Sequence, residues 1–440
     1  MKNFWFNKKE MFNVIKNKVT KKDRNFINLL KNYKIIKGAM MKFKTLDDYD
    51  FKNKTVLLRV DINLPYDEKT KKIQLSERLI ESAKTIKELC EKGAKVVVLA
   101  HQGRKGDNDF ISLREHAEML SQYIGKKVIF IDSIIDEKAK NAIKSLKSGQ
   151  VILLENVRFL EDEDIEKTPE EHKNSSLVKA LMPLADVFVN DAFSASHRSH
   201  ASIVGFVDLP KIAGRLMEKE LKSLEKTMNP EKPNIYILGG AKPDDCIKIM
   251  NYGLEKGIID EVLACGVLGE LFLMAQGFEL GEKTEQFLKD KKFYELSEGL
   301  EKTFKKYNEK IFIPLDVAIN KNGKRKEIDV VDLPTNEMIL DIGSQTIKLF
   351  KERIKKAKTI VVKGPAGVYE EKGFEKGTKE ILQAVANSKA FTLIGGGDTS
   401  VAMDTLGLDK NKYSYISLAG GALINYLSGK KMPGVEILKY

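Results

Sequence analysis

The chain has 440 residues, 42% of them hydrophobic, and its apolar runs all stop well short of the roughly 20 residues a membrane-spanning helix needs. That length and composition exclude a disordered or fibrous chain and suit two α/β domains of roughly 200 residues each. Three scattered cysteines, Cys90, Cys246 and Cys265, offer neither a disulfide framework nor a zinc knuckle and point to a reducing cytoplasm.

The net charge of +12 is unevenly placed. Residues 1–40 hold ten Lys and Arg24 against Glu10 and Asp23, which is nine of the twelve net charges. The remaining 400 residues are near neutrality, so no nucleic-acid face and no membrane partner is expected of the body. Segment 1–40 fits either a basic amphipathic arm or a dispensable extension ahead of Met40 and Met41. Lysine is the default cation, with 65 Lys against ten Arg. Each arginine therefore calls for a reason, and its planar fork suits carboxylate and phosphate.

Apolar, β-branched runs at 55–62, 94–100, 127–132, 151–157 and 185–190 alternate with amphipathic helical stretches. A second series follows at 234–239, 261–265, 310–316, 359–363, 391–395 and 413–418. This pattern predicts an α/β fold of two doubly wound, parallel-sheet (Rossmann-like) domains. Between the series, a helical run at 215–228 flanked by Pro210, Pro230 and Pro233 reads as the connector. The expected layout is 41–212 plus about 425–440 as one domain, 213–233 as connector and 234–424 as the other.

Ligands of open α/β sheets bind beyond the carboxyl ends of the strands, and the two series end differently. In the first, VLLRVDINLP delivers Arg59, Asp61 and Asn63, VVVLAHQGR delivers His101 and Arg104, ILLENVRF delivers Arg158, and DVFVNDAFSASHRSH delivers Asp191, His197 and Arg198. Arg78 opens a helix, where the dipole gives a cation nothing. Five arginines on one sheet edge imply a small ligand with at least two negative charges. His197-x-x-His200 lacks the glutamate of a zinc hydrolase.

The second series runs into glycine: Gly239-Gly240-Ala241-Lys242, Gly364-Pro365-Ala366-Gly367 and Gly395-Gly396-Gly397-Asp398-Thr399. Backbone amides and a helix N-terminus suit phosphate there, and Asp398 suits Mg²⁺. A Walker loop is absent. The near miss to a dinucleotide fingerprint fails because the next strand, YSYISLAGG, ends without an acid.

These blocks, in order, resemble the phosphoglycerate kinase family over roughly 41–440. VLLRVDINLP is similar to its RVDFNVP, VVLAHQGR to SHLGRP, LLENVRF to a near-identical block and FVNDAFSASHRSH to NDAFGTAHRAH. LGGAK, KGPAGVYE, IGGGDTS and LAGGALINYLSGKKMPGVE match the rest. The resemblance implies that Asp61, Asn63, Arg78, His101, Arg104, Arg158 and Arg198 hold 3-phosphoglycerate or 1,3-bisphosphoglycerate. It implies that Lys242, Glu370, Gly395, Gly396, Gly397, Asp398 and Thr399 hold Mg-ADP or Mg-ATP, with Asp398 on the metal and Arg78 and Lys242 catalytic. It further implies hinge closure and a C-terminal segment returning to the first domain; we expect a monomer. Cys246 stands where the family has a second lysine, Lys363 where it has Asn, Gln102 where it has Leu, and AGGA (419–422) replaces GGGA. The substitutions resemble the archaeal branch.

Overall fold

The computed structural model describes residues 42–440, and the basic segment 1–40 lies outside them. Two six-stranded sheets organise the described chain. The first is built from β1 (Thr55–Val60), β4 (Lys95–Leu99), β5 (Val128–Ile131), β6 (Val151–Leu154), β7 (Val187–Asp191) and β8 (Lys211–Ala213), in the order β5-β6-β4-β1-β7-β8. The second is built from β9 (Asn234–Leu238), β10 (Glu261–Ala264), β11 (Ile311–Phe312), β15 (Thr359–Lys363), β16 (Phe391–Gly395) and β17 (Tyr415–Ile416), in the order β11-β10-β9-β15-β16-β17. Every pairing within both sheets is parallel.

Because side chains alternate along a strand, one run feeds two cores. In the first sheet Val56, Leu58, Val96, Val98 and Val189 pack on one face. Leu57, Val97, Leu99, Ile152 and Phe188 pack on the other. Continuous apolar strands are what burial on both faces demands.

Both sheets reverse strand order once. The chain leaves β1 toward β4 and leaves β7 toward β8. In the second sheet it leaves β9 toward β10 and β15 toward β16. The crevices open at the ends of β1/β7 and β9/β15, where Asp61 and Gly239-Gly240 follow the strands.

Not every expected strand took its expected form. Run 310–316 is split: β11 is parallel, Pro314 interrupts it, and β12 (Asp316–Lys321) pairs antiparallel with β13 (Lys324–Asp329) and β14 (Ile339–Ile342). Proline has no N–H for a ladder, so the chain leaves one sheet there and starts another. A short hairpin, β2 (Tyr66–Asp67) with β3 (Lys72–Ile73), also lay below sequence detection.

The helix Arg215–Met228 joins the sheets. Asp191, at the end of β7, accepts from the backbone N–H of Leu216 at 2.8 Å and of Met217 at 3.1 Å, satisfying donors that a helix start leaves free. Further along, the buried Glu220 carboxylate accepts from the Leu418 N–H at 3.1 Å and from the Ser417 hydroxyl at 3.0 Å. One helix therefore grips both sheets.

Candidate functional site

The first crevice is organised around two buried polar groups. Asp61 accepts from the Asn63 N–H at 3.0 Å and from the Ser194 hydroxyl, and pairs with Arg78 Nη1 at 3.2 Å. Burial alone would raise its pKa, but the Arg78 charge and these donors outweigh it and hold the carboxyl at about 2. His101 Nδ1 lies 2.9 Å from Arg59 Nη2. A guanidinium can only donate, so Nδ1 accepts and the ring carries its proton on Nε2. Burial, with Arg59 beside it, pushes His101 well below the usual imidazole range. The ring is a neutral donor.

Arg59 itself is 1% exposed and faces inward. Its Nε donates to Ser202 Oγ at 2.8 Å, and Ser202 donates in turn to the buried Glu163 carboxylate at 2.5 Å. Of the five strand-end arginines, Arg59 is thus scaffolding, while Arg78, Arg104, Arg158 and Arg198 remain around the crevice. Burial, then the neighbouring Arg198 and Arg59, lower Arg158 to about 10. Arg198 is lowered by burial and by Arg104. Cations crowded this way are stabilised by a bound anion.

Asn63 accepts from the Gly103 N–H at 3.0 Å, tying the loop after β1 to the loop after β4. Gln102 reinforces that tie. It is fully buried, accepts from the Leu64 N–H at 2.8 Å and donates to the Leu64 carbonyl at 3.0 Å. Leucine at this position could make neither bond.

The second crevice is lined by backbone. Gly364 has φ +85°, and a Cβ on it would lie 2.1 Å from the Gly239 carbonyl oxygen, so only glycine lets the β9 and β15 loops meet. Gly396 and Gly397 front the cleft at the start of the helix Gly397–Thr405. Gly395 does not: it lies at the end of β16, where a Cβ would strike Leu423 at 2.3 Å. Thr399 borders the cleft, but its hydroxyl is engaged, donating to the Gly395 carbonyl at 3.0 Å and accepting from the Gly364 N–H at 2.8 Å. Lys242 Nζ stands 3.7 Å from Asp398 Oδ2, both side chains reaching into solvent.

Beside this cleft runs an apolar pocket of about 390 Å³, lined in part by Val267, Leu273, Phe287, Leu340 and Pro365, with Glu370 at its border. Glu270 also lines it. Its Oε2 is buried without a hydrogen-bond partner, and burial pushes the carboxyl up to about 8. No motif marked this residue.

Arg78 links the first crevice to the chain just past β17 of the second sheet. One arm of its guanidinium reaches Asp61, and the other, Nη2, donates to the Leu418 carbonyl at 3.1 Å. The described residues thus present an arginine-lined crevice and a glycine-lined crevice, with Arg78 tying the first to the end of the second sheet.

A phosphoglycerate kinase family model matches residues 46–430. The chain belongs to the phosphoglycerate kinase family. It is 44% identical over 402 residues to the phosphoglycerate kinase of Methanothermus fervidus, covering 91% of this chain and 98% of that one. It is 45% identical over 407 residues to that of Methanococcus maripaludis, with 90% and 98% covered. The crystal structure of the Pyrococcus horikoshii phosphoglycerate kinase superposes with a TM-score of 0.82 at 38% identity, covering 90% of this chain and 98% of that one. The Coxiella burnetii structure gives 0.75 at 32% identity, with 90% and 99% covered. The archaeal relatives agree with the archaeal character of the substitutions. As a phosphoglycerate kinase family member the chain is a phosphotransferase of glycolysis, acting on phosphoglycerate and ADP/ATP.

Proposed function

We propose that the arginine-lined crevice holds the phosphoglycerate and the glycine-lined crevice the Mg-nucleotide, and that Arg78 serves both. The reaction is 1,3-bisphosphoglycerate + ADP = 3-phosphoglycerate + ATP. Toward ATP consumption, a carboxylate oxygen of 3-phosphoglycerate forms a bond to the γ-phosphorus of ATP as the bond to the β,γ-bridging oxygen breaks. The acceptor is ionised at neutral pH, so no general base is needed. What remains for the protein is in-line positioning and neutralisation of charge on the transferring phosphoryl.

The residues divide accordingly. Arg104, Arg158 and Arg198 hold the anionic substrate, while Asp61, Asn63 and the Nε2–H of His101 address its oxygens. Arg78 and Lys242 supply positive charge at the transferring group. Gly396, Gly397 and the helix they open cradle phosphate, with Gly395 and Thr399 shaping that cradle from behind, and Glu370 borders the apolar pocket that takes base and ribose. Magnesium ordinarily uses one or two protein carboxylates plus nucleotide phosphates, and Asp398, 60% exposed on the cleft, fits that donor set. When bound, the ion neutralises phosphate charge. Among the described residues there is no cluster of three or more His, Cys, Asp or Glu that could cage a metal.

The domain assignment follows the same division: 41–212 with about 425–440 on the glycerate side, 213–233 as connector, and 234–424 on the nucleotide side. Closure of the two on the connector would bring the ligands together and exclude water. Three buried free thiols fit a reducing cytoplasm. Scattered rather than contiguous exposed apolar side chains among the described residues fit a monomer.

The observation that supports this reading is Arg78, which pairs with Asp61 in the arginine-lined crevice and donates to the Leu418 carbonyl at the end of the second sheet. A coupled assay with 3-phosphoglycerate and Mg-ATP tests it. Turnover that needs both ligands supports it, and binding of both without turnover overturns it.

A further inference from the structure

Lys363 ends β15, a central strand of the second sheet, and is only 6% exposed. Its ammonium has three protons to place. The surroundings serve them poorly. The Lys242 carbonyl is 3.4 Å away, the nearest carboxylate oxygen, Asp245 Oδ2, is 3.7 Å away, and the third neighbour is the Cys246 thiol. A carboxylate at 3.7 Å is beyond hydrogen-bond distance. The thiol, which donates to the Gly239 carbonyl at 3.4 Å, is a weak acceptor. A buried ammonium so thinly partnered is costly unless something else completes its shell.

What it faces is the cleft lined by Gly240, Gly364, Gly396, Gly397 and Asp398. Two helix N-termini open on the same space, Pro243–Glu255 and Gly397–Thr405, and neither has a side-chain cap. The two lysines and the two helix N-termini on the cleft favour an anion, against the carboxylates of Asp245 and Asp398.

We propose that Lys363 is a resident phosphate ligand, donating from inside the protein to an oxygen of the nucleotide polyphosphate, while Lys242 approaches the same polyphosphate from solvent. The inference rests on reading this cleft as the nucleotide site. It also explains Cys246. The helix position where the resemblance expects a lysine carries a buried thiol, and the strand position where it expects asparagine carries the ammonium beside that thiol. The charge enters from the strand instead of the helix.

The test is steady-state kinetics of K363N, with K363M as the variant that preserves side-chain length, and of the double variant K363N/C246K. Loss of a charged hydrogen bond predicts a KM for Mg-ATP raised roughly 10- to 100-fold, with the KM for 3-phosphoglycerate unchanged. K363N/C246K, which returns an ammonium to the same spot from the helix, should recover most of the loss. A nucleotide KM within about twofold of the parent in both single variants overturns the proposal. So does a loss shared equally by both substrates and not rescued by C246K, which marks a packing residue. Calorimetric titration of the same proteins with Mg-ADP separates this from the parent reading. Affinity that falls in K363N supports the phosphate contact whatever the turnover, and affinity that does not fall removes it.

Discussion

Replacing Arg78 by alanine probes the junction of the two crevices. Arg78 Nη1 and Asp61 Oδ2 are 3.2 Å apart, a separation worth about 5 kcal/mol at an effective dielectric of about 20. Arg78 is about a third exposed, 31% against 6% for Asp61, so solvent trims that to roughly half. That leaves about 2.5 kcal/mol, enough to lift the Asp61 pKa by roughly 2 units from about 2. Alanine therefore brings two measurable changes. Loss of a positioned charge donor should lower kcat by about 10²-fold or more. The kcat/KM profile of the free enzyme, flat on its acid side in the parent, should gain a limb near pH 4 as Asp61 takes up a proton. The stability sign follows. In the parent, a carboxyl held below its ordinary value stabilises the fold above pH 3.8, and that contribution is lost as pH falls through about 2. In R78A it should largely vanish. A coupled assay across pH 4 to 8, with thermal melts from pH 2 to 8, reads all three. An unchanged kcat with no acid limb would refute both the catalytic assignment and the electrostatics behind it.

Asp398→Asn should weaken Mg-nucleotide binding and leave glycerate affinity intact; calorimetry showing the reverse would exchange the two crevices. Glu270→Gln tests the unpartnered carboxyl. The folded state keeps its proton up to about pH 8 where the free side chain loses it near 4.5, so parent stability falls as pH rises across that window. Melting temperatures of E270Q and parent should lie closer at pH 5 than at pH 8.5, the gap growing by several degrees in favour of E270Q; a constant gap contradicts the burial argument. Gly214→Ala places a Cβ 2.2 Å from Asp191 Oδ1, the atom that caps the connector helix. A loss of about 1–3 kcal/mol in a urea titration is expected, and an unchanged midpoint would show that the cap can shift freely.

The alternation of apolar runs and helices was enough to read both parallel sheets, because strands buried on two faces cannot hide their composition. It failed at 310–316, where apolar character continues across Pro314 and only the missing N–H reveals that two sheets share the run. Site residues were legible where a strand ended, since parallel topology sends all those ends to one side. Strand-end position alone could not separate Arg59 from the other arginines; only the resemblance left it out. Its inward turn depends on Ser202 and Glu163, and the acid sits in the charged stretch EDED (161–164) that reads as solvated surface. Nor could it foresee that Arg78 would meet a carbonyl 340 positions away. Gln102 and Lys363 looked like departures from a pattern, and their partners, Leu64 and the surroundings of Cys246, become visible only in three dimensions.

The C-terminal segment has a temporal meaning. Gly434 donates to the Ser196 carbonyl at 2.9 Å and accepts from Asn190 Nδ2 at 3.0 Å, and Phe43 bridges Lys439. The first sheet is therefore steadied by residues made long after its own last strand, β8. All strands of the second sheet lie between residues 234 and 416, so on the ribosome that half can assemble while the half begun earlier still waits for its closing piece. Asn190 is next to Asp191, so the same late arrival steadies the cap of the helix that joins them. That support exists only once the strands of both sheets have been made.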